Sequence, residues 1–410
     1  MKRRVVITGM GALSPIGNTV EEMWQSAKDG VCGIAPITAY DAKDQKVNLA
    51  GELKNFNPED YIDKRELRKQ ARFTQLALIA AQQAVNQSGL DFTKENTRRC
   101  GVNVSSGIGA LDIIEQEHER GQQRGFDRVS PFFIPMSISN MAAGTIAIAH
   151  GLQGSCTCVV TACASGANAV GEAFRQIRDG YSDVMVCGGT ESSITPLAFG
   201  GFTSMRALSE STDPTRASIP FDAERKGFVM GEGAGILVLE DYEHAITRGA
   251  KILGEIVGYG VTCDAHHITA PIEDGSGAAA CMTDALADAC IGATDIGYIN
   301  AHGTSTPLND ACETKAIHTA FGEYAMRVSV SSTKSMTGHM LGAAGAIEAI
   351  MCICALEDQF VPPTIGYQIP DAECDLDITP NHGHRKEMTY AMSNSLGFGG
   401  HNATLVFRRV

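Results

Sequence analysis

VVTACASGANAVGEAFRQI, residues 159–177, is the stretch on which the reading of this chain turns. A β-rich start gives way to a run of helical composition, and the turn between them is crowded with small residues, Ala162, Ala164, Ser165, Gly166 and Ala167, around Cys163. The pattern predicts a nucleophile elbow, strand then turn then helix, with the thiol at the turn. A thiol at a helix N-terminus lies at the positive end of the dipole, which favours thiolate, and small neighbours let a substrate carbonyl approach the sulfur. A cysteine in such a turn is more often inert, so a catalytic reading needs partners elsewhere.

Working outward, VVITGMGA (5–12), CGVNVSSGIGA (100–110), VMVCGGTES (184–192) and GILVLEDYEHA (235–245) read as further β-rich runs. They alternate with helical stretches such as QARFTQLALIAAQQAVNQSG (70–89), which predicts an α/β fold. A second series follows Arg248: KILGEIVGYGV (251–261), IGYINAHGTST (296–306), VSVSSTKSMTG (328–338), the helix-like GAAGAIEAIMCICALEDQ (342–359) and ATLVFRRV (403–410). The chain therefore divides into 1–250 and 251–410, with no Pro-rich or Gly/Ser linker between the halves. Their similar content points to a duplicated unit, although no residue-level repeat is visible. In TGMGALSPIG (8–17), Ser14 stands where a dinucleotide fingerprint needs its third glycine, so this segment reads as an ordinary strand and turn.

Composition narrows the function classes. At 410 residues the length predicts two or three domains or one large fused one. Hydrophobic residues at 44% and charged residues at 20% exclude a disordered or fibrous chain. A net charge of −14 disfavours nucleic acid and anionic lipid surfaces as partners. No apolar run is long enough for a membrane span, and MKRRVVITGMGALSPIG breaks at Gly9, Gly11 and Pro15 before a signal segment could form. The thirteen cysteines include no CxxC and no zinc-like His spacing, so the expectation is a reducing cytoplasm, no metal and no cofactor.

The elbow does find partners. INAHGTSTPLND (299–310) sets His302 at the end of a strand in a Gly/Ser/Thr loop, and SSTKSMTGHMLGAAG (331–345) sets His339 and Lys334 in another. In SNSLGFGGHNATLVF (393–407), Gly397, Gly399 and Gly400 flank Phe398, a turn suited to presenting backbone N–H groups to an oxyanion. Together TACASG (161–166), AHGTSTPLND (301–310), TKSMTGHMLGAAGA (333–346) and NSLGFGGHN (394–402) resemble the β-ketoacyl-[acyl carrier protein] synthases, the condensing enzymes of fatty acid synthesis. The resemblance covers essentially the whole chain, and GGFTSMRALS (200–209) places it nearest the synthase II branch.

That resemblance implies a thiolase-like fold, two related α/β halves in a five-layered αβαβα arrangement, acting as a homodimeric acyltransferase. It implies Cys163 as the acyl-accepting nucleophile, and His302 and His339 as neutral donors to the malonyl thioester carbonyl. Lys334, paired with Glu348, would tune the local field. The N–H groups of Cys163 and Phe398 would form an oxyanion hole and the Phe398 ring a gate, with Asp310 and Glu313 as structural carboxylates. Ile108, Phe133, Phe202 and Leu341 would line the acyl pocket, Phe133 from across the dimer, and Thr304 and Thr306 would meet the pantetheine arm. The partner implied is acyl carrier protein, itself acidic, so a local basic patch is required. YIDKRELRKQARF (61–73) offers Lys64, Arg65, Arg68, Lys69 and Arg72 on one face of a predicted continuous helix.

Departures from the family pattern are Leu396 for Phe and His401 for Thr around the glycine turn. A degradative thiolase would need a second cysteine in that turn. A polyketide-type ketosynthase shares the same residues, and a chain-length-factor-like subunit, the non-enzymatic alternative, would lack Cys163.

Overall fold

The computed structural model describes residues 2–410. Its main sheet has ten strands: β1 (Val5–Leu13), β2 (Cys100–Ser105), β3 (Cys156–Thr157), β4 (Val184–Glu191), β5 (Gly233–Asp241), β6 (Gly254–Cys263), β7 (Ile296–Asn300), β8 (Ser329–Ser331), β9 (Tyr390–Gly397) and β10 (His401–Arg408). Their order is β8-β7-β9-β10-β6-β1-β5-β4-β2-β3. From each outer edge inward, both sets of five run third, second, fourth, fifth, first. The senses repeat as well. β2 is parallel to β3 and β4, as β7 is to β8 and β9, while β4–β5, β5–β1, β9–β10 and β10–β6 are antiparallel. The halves join where Val5–Ile7 pairs antiparallel with Gly254–Ile256. A duplication invisible in the residues is thus explicit in the topology.

Six helices complete the layers: α1 (Arg72–Ser88), α2 (Met141–His150), α3 (Ser165–Arg178), α4 (Ser276–Ala289), α5 (Pro307–Phe321) and α6 (Ala344–Asp358). Apolar faces of α1 and α2 cover one outer surface, with Phe73, Leu76 and Ile146 against Val102, Val186 and Val238. On the other outer surface, α4 and α5 bring Met282 and Ile317 onto Ile299 and Val406. Between the two halves lie α3 and α6, where Val170, Phe174, Ile350 and Met351 fill the largest core. The result is helix, sheet, helix, sheet, helix. Unlike α3, which keeps Glu172 and Arg175 part-exposed, α6 has no solvent face over most of its length, so it must be apolar all round. AGAIEAIMCICAL meets that requirement, and Glu348 is its single charged residue.

Gly9 and Gly11 lie within β1, where α1 rests directly on the strand. A Cβ at either would come 2.0 Å from the carbonyl oxygen of Ala84 or Ala80. These glycines serve helix–strand contact. Two local expectations are corrected. VVT is not a strand, because β3 pairs only through Cys156–Thr157 with β2 and then peels away, Val159 N donating to Ser105 Oγ. The basic segment is not one helix either. A single turn, Lys64–Leu67, ends at Arg68, and α1 starts afresh at Arg72. Gln75 Nε2 ties down the break by donating to the carbonyls of Leu67 and Gln70, while Arg72 turns inward to make a two-pronged pair with Glu232.

No helix among the described residues is long and apolar enough to cross a membrane. Gly11→Ala should lower unfolding free energy by about 1–3 kcal/mol, since the added methyl forces α1 off β1. A denaturation midpoint equal to the parent's would show that this contact has slack.

Candidate active site

Cys163 occupies the middle of a 3-10 turn, Ala162–Ala164, that leads into α3. A matching turn, Leu341–Ala343, leads into α6. Each holds a non-glycine residue in the left-handed region, Ala162 at φ 50° and Leu341 at φ 44°, the kind of strain that clusters at functional sites. The helix starts cross in near contact. A Cβ on Gly166 would meet Gly342 O at 2.7 Å and Ala346 N at 3.0 Å, and one on Gly345 would meet Ala167 N at 2.6 Å. This crossing sets the first turn, with its thiol, beside the second, which directly follows His339.

His302 follows β7, and His339 lies between the short helix Lys334–Thr337 and the second turn. Their rings are 5.2 Å apart, edge to face, and Phe228 packs edge-on against His339 at 5.3 Å. Both Nδ1 atoms are buried without a hydrogen-bond partner among the described residues. Behind them the Lys334 ammonium donates to Glu348 in a buried ion pair. Burial, reinforced by the Lys334 charge, holds both imidazoles well below their usual pKa, so they are neutral. Glu313 fixes the His302 loop by accepting from the N–H groups of His302 and Gly303, each at 2.8 Å. Asp310 accepts from Phe221 N at 2.9 Å and faces Arg225. Burial raises Glu313 and Glu348 to about 7, against the pull of the N–H donors and of Lys334 respectively.

Burial also pushes the Cys163 thiol up to about 12, opposed by Lys334 and by the N–H groups of Phe398 and of Cys163 itself. The expectation that the helix start alone favours thiolate is therefore not met, because loss of water outweighs it. The same two N–H groups, aimed at the sulfur, form a donor pair of the kind that stabilises an oxyanion. The loop presenting Phe398 depends on consecutive left-handed glycines, Gly399 and Gly400, at φ 88° and 75°.

A cavity of about 500 Å³ opens onto the thiol. Cys163, His302, His339, Phe398, Thr304 and Thr306 all line it, as do Ile108, Phe202 and Leu341. The Phe202 ring sits 6.4 Å from that of Phe398. Phe133 does not line this chain's cavity and lies half-buried at the start of Phe133–Ser137. Sequence reasoning missed Phe228, Met205 and the Thr269–Pro271 stretch, which also line it. Phe228 and Thr269–Pro271 are loop residues without a motif of their own, and Met205 lies within the quoted 200–209 stretch without being singled out. The basic segment is partly committed: Lys64 pairs with Glu59, Lys69 with Glu66 at 2.7 Å and Arg72 with Glu232, leaving Arg65 and Arg68 exposed and without ion pairs among the described residues.

A thiol, two neutral imidazoles and a backbone donor pair around one apolar cavity can carry acyl transfer through sulfur and stabilise an enolate. Residues 2–245 match the N-terminal domain of β-ketoacyl synthase, and 253–368 match its C-terminal domain. The chain belongs to the β-ketoacyl synthase family. It is 51% identical over 409 residues to 3-oxoacyl-[acyl-carrier-protein] synthase 2 of Synechocystis, covering 100% of this chain and 98% of that one. Against the protein of the same name from Staphylococcus aureus strain COL, identity is 54% over 407 residues, 99% of this chain and 98% of the other. A solved structure of a type II PKS acyl-carrier protein in complex with its ketosynthase bound to the hexaketide superposes with a TM-score of 0.93 at 36% identity, covering both chains fully. The fold is the thiolase-like one of the β-ketoacyl synthases.

With ring carbons labelled, the NMR shifts of His302 and His339 should remain those of a neutral imidazole from about pH 8 to about pH 6, showing at most the small change that titration of Glu313 and Glu348 nearby imposes, because ring protonation is suppressed. A midpoint near the ordinary value of 6.5 for either ring would contradict the buried, cation-facing environment.

Proposed function

We propose that this protein is a condensing acyltransferase of fatty acid synthesis that joins an acyl thioester to malonyl-[acyl carrier protein] through an acyl-Cys163 intermediate. The observation carrying the reading is the convergence of Cys163, His302 and His339 on one cavity, with the N–H groups of Cys163 and Phe398 directed at the sulfur. The Cys163 sulfur attacks the acyl carbonyl, the oxyanion rests on the two N–H groups, and the carrier's pantetheine thiol leaves with the proton. The malonyl thioester then loses carbon dioxide, and the electron pair left behind forms an enolate held by His302 and His339. Its carbon attacks the acyl-Cys163 carbonyl and expels the thiolate, which takes up a proton from solvent, giving a 3-oxoacyl thioester two carbons longer. Neutral imidazoles donate to the enolate oxygen without surrendering a full proton, and Lys334, charge-balanced by Glu348, stabilises developing negative charge.

In this reading Ile108, Phe202 and Leu341 bound the acyl chain, Phe398 gates it, and Thr304 and Thr306 face the pantetheine arm. Asp310 and Glu313 hold the His302 loop. The fatty acid assignment is favoured over a polyketide one by 51–54% identity to the synthases named above against 36% to the polyketide ketosynthase. The carrier protein on that ketosynthase supports a carrier-bound substrate here. Arg65 and Arg68 are the docking cations we assign, with Lys64 and Lys69 tempered by their carboxylate neighbours. A homodimer fits the open edge of β3, where Ile134, Ile138, Ile148 and Val160 are exposed, and Phe133 would enter the partner's acyl pocket from there. Thirteen cysteines, all unpaired, suit the reducing cytoplasm.

Cys163→Ser should abolish acyl transfer to the enzyme. Cys163→Gln, whose amide stands where an acyl carbonyl would, should retain carbon dioxide release from malonyl carrier protein. His302→Ala and His339→Ala should each slow that release by about 10²–10³ while harming thiol acylation less. Equal damage to both half-reactions would mean the roles are divided wrongly. Reversing charge at Arg65 and Arg68 should raise KM for acyl carrier protein substrates and weaken its salt dependence, with a much smaller effect on acyl-pantetheine. Equal effects on both substrates would remove this patch from docking.

A further inference from the structure

β4 and β9 hold the same place in their two halves, each the fourth strand, and each ends against one of the crossing helix starts. β9 ends at Gly397, where a Cβ would come within 2.7 Å of Thr161 O and 3.3 Å of Cys163 N. β4 ends at Glu191, which is fully buried. Where the first turn directs its N–H at the reacting sulfur, the second has its N–H taken up by a carboxylate: Gly342 N donates to Glu191 Oε2 at 3.0 Å. Glu191 also accepts from Gly107 N at 2.8 Å, Ile108 N at 3.3 Å and Ser106 Oγ at 2.7 Å. Ser106 Oγ receives Gly109 N at 3.0 Å, so its own proton points to the carboxylate. Ser193 Oγ stands 3.4 Å away on the same side.

Every one of these neighbours is a donor. No cation pairs with Glu191 among the described residues, and no step of the proposed reaction uses it. Burial raises its pKa, while four donors aimed at its two oxygens, Ser106 Oγ and the N–H groups of Gly342, Gly107 and Ile108, favour the carboxylate. A charge buried at such cost marks a position where geometry matters. The two segments it ties together lie side by side and bear Ile108 and Leu341, both of which line the cavity. Leu341 is buried, whereas Ile108 is 37% exposed and has little packing of its own to fix it.

We propose that Glu191 is a positioning residue for acyl-chain selection: its carboxylate clamps the 106–108 loop onto the 341–342 turn and so sets the wall between Ile108 and Leu341. This rests on the reading that the acyl chain of the Cys163 thioester passes that wall. A long chain presents more surface to that wall than a short one, so on this proposal the clamp weighs more on long substrates.

Glu191→Gln keeps the shape but turns an amide N–H₂ towards backbone N–H groups that need an acceptor. In the full-length enzyme, kcat/KM for hexadecanoyl carrier protein should fall by about tenfold or more, with a distinctly smaller fall for butanoyl carrier protein. Malonyl decarboxylation, measured alongside, should fall less than hexadecanoyl transfer. If Glu191→Gln does not fold, Ser106→Ala decides the matter, since it removes one donor and the link to Gly109 while leaving the carboxylate, and should shift the same ratio in the same direction. Equal losses at both chain lengths and in decarboxylation would show a merely structural carboxylate, and an unchanged ratio in a folded variant would equally overturn the proposal. Failure of the underlying reading is separate: the parent enzyme would then form no acyl-Cys163 with either substrate.

Discussion

The near contact of α3 with α6 is the constraint on which the rest depends. Gly166 and Gly345 each lie where a Cβ would strike the opposing backbone, so the two helix starts can cross only because both positions are glycine. That crossing brings a turn from the first half, bearing Cys163, against a turn from the second that follows His339 and holds Leu341. The twofold repetition of strand order makes such a meeting natural, because each half delivers its third-to-fourth-strand helix to the middle layer. Function arises where the two copies diverge. One turn keeps a thiol with donors around it, and the other has glycine at the matching place and a buried glutamate on its N–H.

Burial dominates the electrostatics. It raises Cys163, depresses both histidines and lifts Glu313 and Glu348, with Lys334 as the nearby fixed cation. A site of this kind holds neutral reactants at rest and stabilises negative charge only when it develops, on the acyl oxyanion or the malonyl enolate. Water-poor surroundings make the few donors present count for more than they would at the surface.

The motifs around Cys163, His302, His339 and Phe398 were legible because Gly, Ser and Thr in fixed order mark turns that local chemistry dictates. The α/β alternation was legible from β-rich runs and helical periodicity. What escaped was set by tertiary contact. VVT is β-branched enough to read as strand, but β3 has a partner on one side only and ends early. The basic segment has helical spacing throughout, yet Gln75 and the Arg72–Glu232 pair break it after one turn. Glu191 looked like the end of a strand, since nothing local reveals that donors from residues 106–108 and 342 converge on it. The helix-start argument for a low thiol pKa was sound locally and was overridden by desolvation.

The most direct test of the account is a single-turnover experiment on the parent enzyme with isotopically labelled acyl carrier protein, followed by peptide mapping and a chase with malonyl carrier protein. The account predicts one acyl group per chain, confined to the peptide bearing Cys163, and its complete transfer to a 3-oxoacyl product with one carbon dioxide released per acyl group lost. Label on another residue, or carbon dioxide release that leaves the acyl group on Cys163, would contradict it.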